Sequence, residues 1–185
     1  RNSFTTGQEL ADPHEFAAKV QAAKQAQTDP DFVVVGRIES FIAGTDVQDA
    51  VKRAACYEAA GADALVVGAG LPLDLPELAA AWPDVALVPI LSDARGIALV
   101  VRKWMRKGRL PDAIVIEHPR HAGGHLGAAR IDDLADPRFD CERVIPEAHA
   151  FFRAEGIDER AIPLVPAGGI NSHERVRELI AMGAA

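Results

Sequence analysis

Short β-branched runs alternate with amphipathic helical stretches from one end of the chain to the other, and this alternation restricts the fold more than any other feature. The runs are FVVVGRI from Phe32, ALVVGAG from Ala64, ALVPIL from Ala86, AIVIE from Ala113 and PLVPAGGI from Pro163. Each is about strand length and almost uninterrupted, as strands buried on both faces of a parallel sheet are. The stretches between them carry helix punctuation. Asp12, Pro13 and Glu15 form a start, with Phe16 and Val20 on one face. Asp46 precedes Val47, Val51, Ala54 and Ala55, and Gly61 stops that helix. Ser92 opens a helix with Ile97, Val101 and Trp104 inward, which ends near Gly108. Val144, Ile145, Ala148 and Phe152 mark another, ending near Gly156; Asn171 with Glu174 opens the last, ending at Gly183.

Such a pattern is either a doubly wound sheet or a (β/α)8 barrel. The barrel is favoured, because most strands end in a residue of chemical use: Arg37, Gly70, Ser92, His118 and the pair Gly168–Gly169. A barrel builds one shared site from the C-terminal ends of all its strands, whereas a doubly wound fold concentrates glycines after its first strand. A complete barrel takes eight strands and about 250 residues. The expected fold is therefore α/β, a partial (β/α)8 barrel of about five βα units, with residues 1–185 as a single partial domain.

Composition narrows the partners. A net charge of −7 argues against nucleic acid or an anionic membrane. The basic run VRKWMRKGR lies on a periodic helix and reads as a solvated face. Cys56 and Cys141 both fall in helical patterns, so neither a disulfide framework nor a thiolate metal site is indicated. No apolar run approaches the ~18 residues of a membrane span, and no signal peptide is visible. The chain opens without Met and stops at AMGAA, inside a helix-to-strand pattern, so the expectation is a piece of a cytoplasmic protein.

Three segments carry candidate chemistry. In PAGGINSHERV, a strand runs through Gly168–Gly169 into a capped helix; this is either a phosphate cradle of backbone N–H groups or a turn needing positive φ. The barrel reading favours the cradle, since phosphate sites cluster after late strands. In EHPRHAGGHLGAAR, three imidazoles surround a glycine pair. His121 and His125 are separated by AGG, which is no helix, so helical metal-ligand geometry is missing and no metal is assigned. The glycines suit close approach of the backbone to a flat ligand, with His125 beside it as an acid or base. His14, His149 and His173 are read as helix surfaces or caps. Arg37 ends a buried strand and must meet an anion, either Glu39 or a substrate.

These residues carry two resemblances. From about Ala64 to Ala185 the chain resembles the nitronate monooxygenase family, through GAGLPLDLPEL, VPILSDARG, KGRLPDAIVIEHPRHAGGHLGA, DPRFDCERVIPE and PLVPAGGINSHERVRELIAMGA. That resemblance implies an FMN-dependent barrel that oxidises alkyl nitronates with O2. It implies His125 as catalytic base, and His118, Ala122, Gly123, Gly124, Gly168 and Gly169 around the flavin. From about Asn2 to Asp63 the chain resembles the phosphoenolpyruvate mutase and isocitrate lyase superfamily. RNSF carries this, with DPHEFAAKVQAAKQAQTDPDFVVVGRIESFIAGTDVQDAVKRAACYEAAGADA. It implies that Asn2 and Arg37 bind the carboxylate and phosphonate of a substrate, and that Mg2+ is the cofactor. Two features depart from that family: Gly68–Ala69 stands where mutases carry His-Ser, and the paired aspartates that hold Mg2+ precede residue 1.

The two resemblances meet near residues 61–70. The leading expectation is an FMN-dependent oxidoreductase of nitronate monooxygenase type. The alternatives are a Mg2+-dependent lyase or mutase cleaving a C–C or C–P bond, and an inactive barrel fragment or anion-binding scaffold. A small-molecule substrate with O2, and a homo-oligomer, complete the expected partners.

Overall fold

The computed structural model of the protein describes residues 9–41, 43–68, 71–122, 128 and 130–185. Five parallel strands lie side by side in chain order: β1 (Val35–Ile38), β2 (Ala64–Val67), β3 (Ala86–Leu91), β4 (Ile114–Glu117) and β5 (Leu164–Ala167). All five expected strands are present. Sequential order decides the architecture, because a doubly wound sheet reverses its order at a switch point and this one does not. The fold is α/β, a five-stranded part of a (β/α)8 barrel.

Helices α1 (Pro13–Ala26), α2 (Val47–Ala59), α3 (Leu75–Leu78), α4 (Ala94–Met105), α5 (Cys141–Ala154) and α6 (His173–Ala181) cover one side of the sheet. Gly36, Ile38, Leu65, Leu87, Leu91, Ile114, Ile116 and Leu164 face them and are buried, a set that follows from the period of two along each strand. Ile97, Val100, Val101 and Trp104 of α4, with Val144, Ile145, Ala148 and Phe152 of α5, close the core without residual exposure. Each of the larger aliphatic and phenyl side chains among them stabilises the fold by about 1.5–3 kcal/mol on transfer from water. The Trp104 indole N–H keeps a partner, donating to the Pro72 carbonyl at 2.9 Å.

The opposite, inner face carries Val35, Arg37, Val66, Val88, Ile90, Val115 and Val165. Val35 and Val165, on the two outer strands, are 49% and 38% exposed. In a closed barrel this face would be packed by strands from across the axis.

Local corrections are small and physical. The cap of α4 is Asp93, whose Oδ1 accepts the Gly96 N–H at 2.6 Å, and not Ser92. The cap of α6 is Ser172, whose Oγ accepts the Arg175 N–H at 3.1 Å, and not Asn171. In both places the oxygen that reaches the third helical N–H wins the role. His149, expected on a helix surface, is only 8% exposed and its Nε2 lies 3.1 Å from the Gly183 carbonyl, because α5 packs against the chain leaving α6. The basic run of α4 pairs with neighbouring acids. Lys107 meets Asp74 and Glu77, and Arg102 meets Glu155. No helix among the described residues is long and apolar enough to cross a membrane.

Candidate functional site

Two clusters occupy the C-terminal ends of the strands. The first lies at the end of β1. Arg37 points from the inner face and its Nε pairs with Glu39 Oε1. The expected partnership with Glu39 is present, but the expected burial is not: the Arg37 side chain is 47% exposed. The reason is that β1 is an outer strand, paired only with β2 among the described strands, and its inner face keeps solvent contact at Val35 too, which is 49% exposed. Glu39 is the more buried partner, and burial pushes its carboxyl above the ordinary range while Arg37 opposes that shift.

Behind this pair Ser40 and Thr45, on the way into α2, are held tightly. Ser40, fully buried, donates from Oγ to Asp49 Oδ2 at 2.7 Å. Thr45 Oγ1 stands 3.1 Å from the same oxygen and 2.8 Å from the Ser40 carbonyl. Arg53 Nε donates to Asp49 Oδ2 at 2.8 Å, and its Nη1 donates to the Ala11 carbonyl at 2.7 Å. The bond from Arg53, then that from Ser40, holds the Asp49 carboxyl below the usual range. Sequence reasoning missed this network, although Asp49 and Arg53 stand at helical i, i+4 spacing.

The second cluster lies at the ends of β4 and β5, around a cavity of about 360 Å3 lined by His118, His121, Asp140, Cys141, Glu142, Gly168, Gly169 and Arg175. His118 Nδ1 accepts the Arg120 N–H at 3.2 Å, which leaves Nε2 to carry the proton toward Asp140 Oδ1, also at 3.2 Å. Nδ1 thus caps a 3-10 turn, Pro119–His121, that leads into Ala122, while Nε2 ties that turn to the residue before α5. Gly168 and Gly169 have φ of 89° and 70°. A Cβ on Gly168 would stand 3.1 Å from the His121 Cβ and carbonyl, and one on Gly169 would stand 3.1 Å from the His121 ring. The close neighbour these glycines accommodate is His121 itself. Arg175, at the start of α6, is held by Glu142 at 2.5 Å and Glu178 at 3.2 Å.

The structure therefore brings together His118, His121, Gly168 and Gly169, and sets Arg37 apart at the other edge of the sheet. Three to four strand spacings, roughly 14–19 Å along the sheet, separate the two clusters. Asn2, Gly123, Gly124 and His125 lie outside the described residues. Among the described residues, no group of three or more His, Cys, Asp or Glu could hold a metal ion.

The family model described as Phosphoenolpyruvate phosphomutase matches residues 1–103, which include β1, α2, β2 and the Arg37 cluster. A phosphoenolpyruvate phosphomutase of Tetrahymena pyriformis is 44% identical over 87 residues, 44% of this chain and 29% of that protein. A phosphoenolpyruvate phosphomutase of Streptomyces viridochromogenes is 38% identical over 186 residues, 95% of this chain and 51% of that protein. The chain thus spans about a third and about half of these relatives' lengths. A nitroalkane oxidase from Streptomyces ansochromogenes is similar in fold, with a TM-score of 0.52 at 17% identity, covering 97% of this chain and 46% of that one. That likeness shows the barrel architecture alone.

These findings overturn the nitronate monooxygenase expectation, and with it the oxidoreductase activity, the flavin and the O2 chemistry. The S. viridochromogenes relative matches 95% of the chain, and the family model runs to residue 103, so both extend into the segment from Ala64 that carried the nitronate monooxygenase resemblance. The mutase and isocitrate lyase resemblance stands. The short motifs of the second half misled because glycine turns and histidines after strands recur across barrels with unrelated chemistries. From the match over residues 1–103, the chain belongs to the phosphoenolpyruvate phosphomutase family.

Proposed function

We propose that this chain supplies the substrate-anion side of a phosphoenolpyruvate-phosphomutase-type site, with Arg37 holding the carboxylate or phosphonate of a small 2-oxo acid. In this reading the whole protein cleaves or rearranges a C–P or C–C bond of that acid. The observation that carries it is Arg37. Its half-exposed guanidinium stands at the C-terminal end of β1, on the inner face of the sheet, within the segment the family model matches. A planar guanidinium can give two parallel N–H bonds to one carboxylate or phosphonate, and it stays charged at any working pH. Glu39 fixes its direction from one side, and nearly half of the Arg37 side chain remains exposed.

The family resemblance implies Mg2+, which would neutralise charge on the substrate during bond cleavage. The described residues do not fit that ion, since none of their His, Cys, Asp and Glu gather in a set of three or more able to hold it. What the described residues can do is bind and orient the anion.

Calorimetric titration with oxalate, with and without Mg2+, tests the reading. Oxalate binds the unaltered chain, and Arg37→Ala weakens it by roughly ten- to a hundredfold, as loss of a charged hydrogen-bond group worth about 1.5–3 kcal/mol requires. Equal affinity in the two proteins, or no binding to the unaltered one, overturns the proposal.

A further inference from the structure

We infer that Asp49 and Arg53 of α2 are positioning residues for Arg37, fixing Ser40 and Thr45 so that the guanidinium meets a substrate anion in one orientation. The ligand named here rests on the proposed function above. An Asp–Arg pair at i, i+4 on a helix is ordinarily a solvated contact worth a few tenths of a kcal/mol. This one is different in kind. The Arg53 side chain is 10% exposed, and each partner also bonds a group outside α2. Asp49 Oδ2 alone is contacted by Ser40 Oγ, Thr45 Oγ1 and Arg53 Nε. Arg53 also donates from Nη1 to the Ala11 carbonyl, so the lead into α1 is tied to the same point.

The route to Arg37 is short. Ser40 is pinned through its hydroxyl, and its carbonyl accepts both the Thr45 N–H at 2.9 Å and a bond from the Thr45 hydroxyl. Glu39 is the residue before it, and its own carbonyl accepts the Ala43 N–H at 3.0 Å. With the backbone on its C-terminal side held this way, the Glu39 carboxylate has one direction in which to grip Arg37. Release of Ser40 frees that direction. The guanidinium then samples orientations that no longer match a planar anion, and the cost of reordering falls on binding.

Two readouts test this. The first is the NMR signal of the Arg37 Nε–H, identified by its disappearance in Arg37→Lys. The second is oxalate affinity by calorimetry. Ser40→Ala and Asp49→Asn should each move or broaden the Arg37 signal and weaken oxalate binding about tenfold in protein that remains folded. Lys19→Ala breaks an exposed pair with Glu15 on α1 and should leave both readouts unchanged. If Asp49→Asn does not fold, Ser40→Ala, which removes a single oxygen, decides alone. An unchanged oxalate affinity in the folded variants overturns the inference, whatever their melting temperatures. If the unaltered chain binds no oxalate, the proposed function falls, and the NMR signal decides the positioning role by itself: unmoved, it refutes it.

Discussion

At the scale of single residues, acidic side chains hold together parts of the chain distant in sequence. Asp63 is the plainest case. Its Oδ2 accepts the Val34 N–H at 2.8 Å, and both of its oxygens lie 3.0 Å from Lys24 Nζ. One carboxylate thereby joins α1, the entry to β1 and the start of β2. The Val34 N–H, then Lys24, holds the Asp63 carboxyl below its ordinary value, as Arg53 and Ser40 do for Asp49. The sign follows from linkage. A depressed folded pKa means stability that is fully present above the unfolded value of about 4 and is lost as pH falls through the folded one. Thermal melts should therefore be flat from neutrality down to about pH 4 and drop steeply below it. Asp63→Asn should lower stability near neutrality by about 1 kcal/mol, a modest figure because the carboxylate is part exposed. It should also shrink the acid drop. A drop of unchanged size in the variant would show that Asp63 does not contribute to it.

At the scale of elements, a glycine after β1 and one in the turn after β5 separate two costs that a glycine can hide. Gly44 has φ of 77° with nothing within 4 Å of an added Cβ, so Gly44→Ala meets backbone strain alone and should cost about 1 kcal/mol. Gly169 has both a positive φ and the His121 ring 3.1 Å from an added Cβ. Gly169→Ala should cost more, about 1–3 kcal/mol, and the excess should vanish in a His121→Ala background. Additive effects in that double-mutant cycle would show that the ring does not press on the turn. The same turn shows where sequence reading stops. The strand, the glycine pair and the following helix were all legible, because period and punctuation are local. That His121 fills the space beside the glycines was not, since it depends on how the turn after β4 lies against the turn after β5. The caps at Asp93 and Ser172 missed by one residue for a related reason: adjacent Ser-Asp and Asn-Ser pairs offer two candidate oxygens, and only backbone geometry chooses. His149 was misplaced because the chain that covers it returns 34 residues later. The Arg37–Glu39 pair was legible from adjacency on one strand end, while the Asp49–Arg53 network needed the fold to bring Ala11 to Arg53.

At the scale of the molecule, the five strands form a sheet whose interior and borders differ sharply in support. β3 is paired on both sides, by β2 and β4, whereas β1 is paired only with β2 among the described strands. β5 is intermediate. Its Leu164 carbonyl accepts the Ala185 N–H at 2.9 Å, the kind of contact by which Asp63 N–H meets the Val34 carbonyl at the start of β2. Local opening follows this support, because an amide exchanges once its own hydrogen bond breaks, and border strands break theirs without disturbing the core. Hydrogen exchange should rank the strands accordingly. The amides of Leu87, Val88, Ile90 and Leu91 should be slowest, those of β5 intermediate and those of β1 fastest. The half-exposed Val35 and Val165 predict the same gradient from packing, since the inner face loses apolar contact toward both borders. Exchange in β1 as slow as in β3 would contradict this. It would mean that the outer edge of β1 is covered in solution as fully as the edges of β3 are, and that strand support does not fall away toward the border.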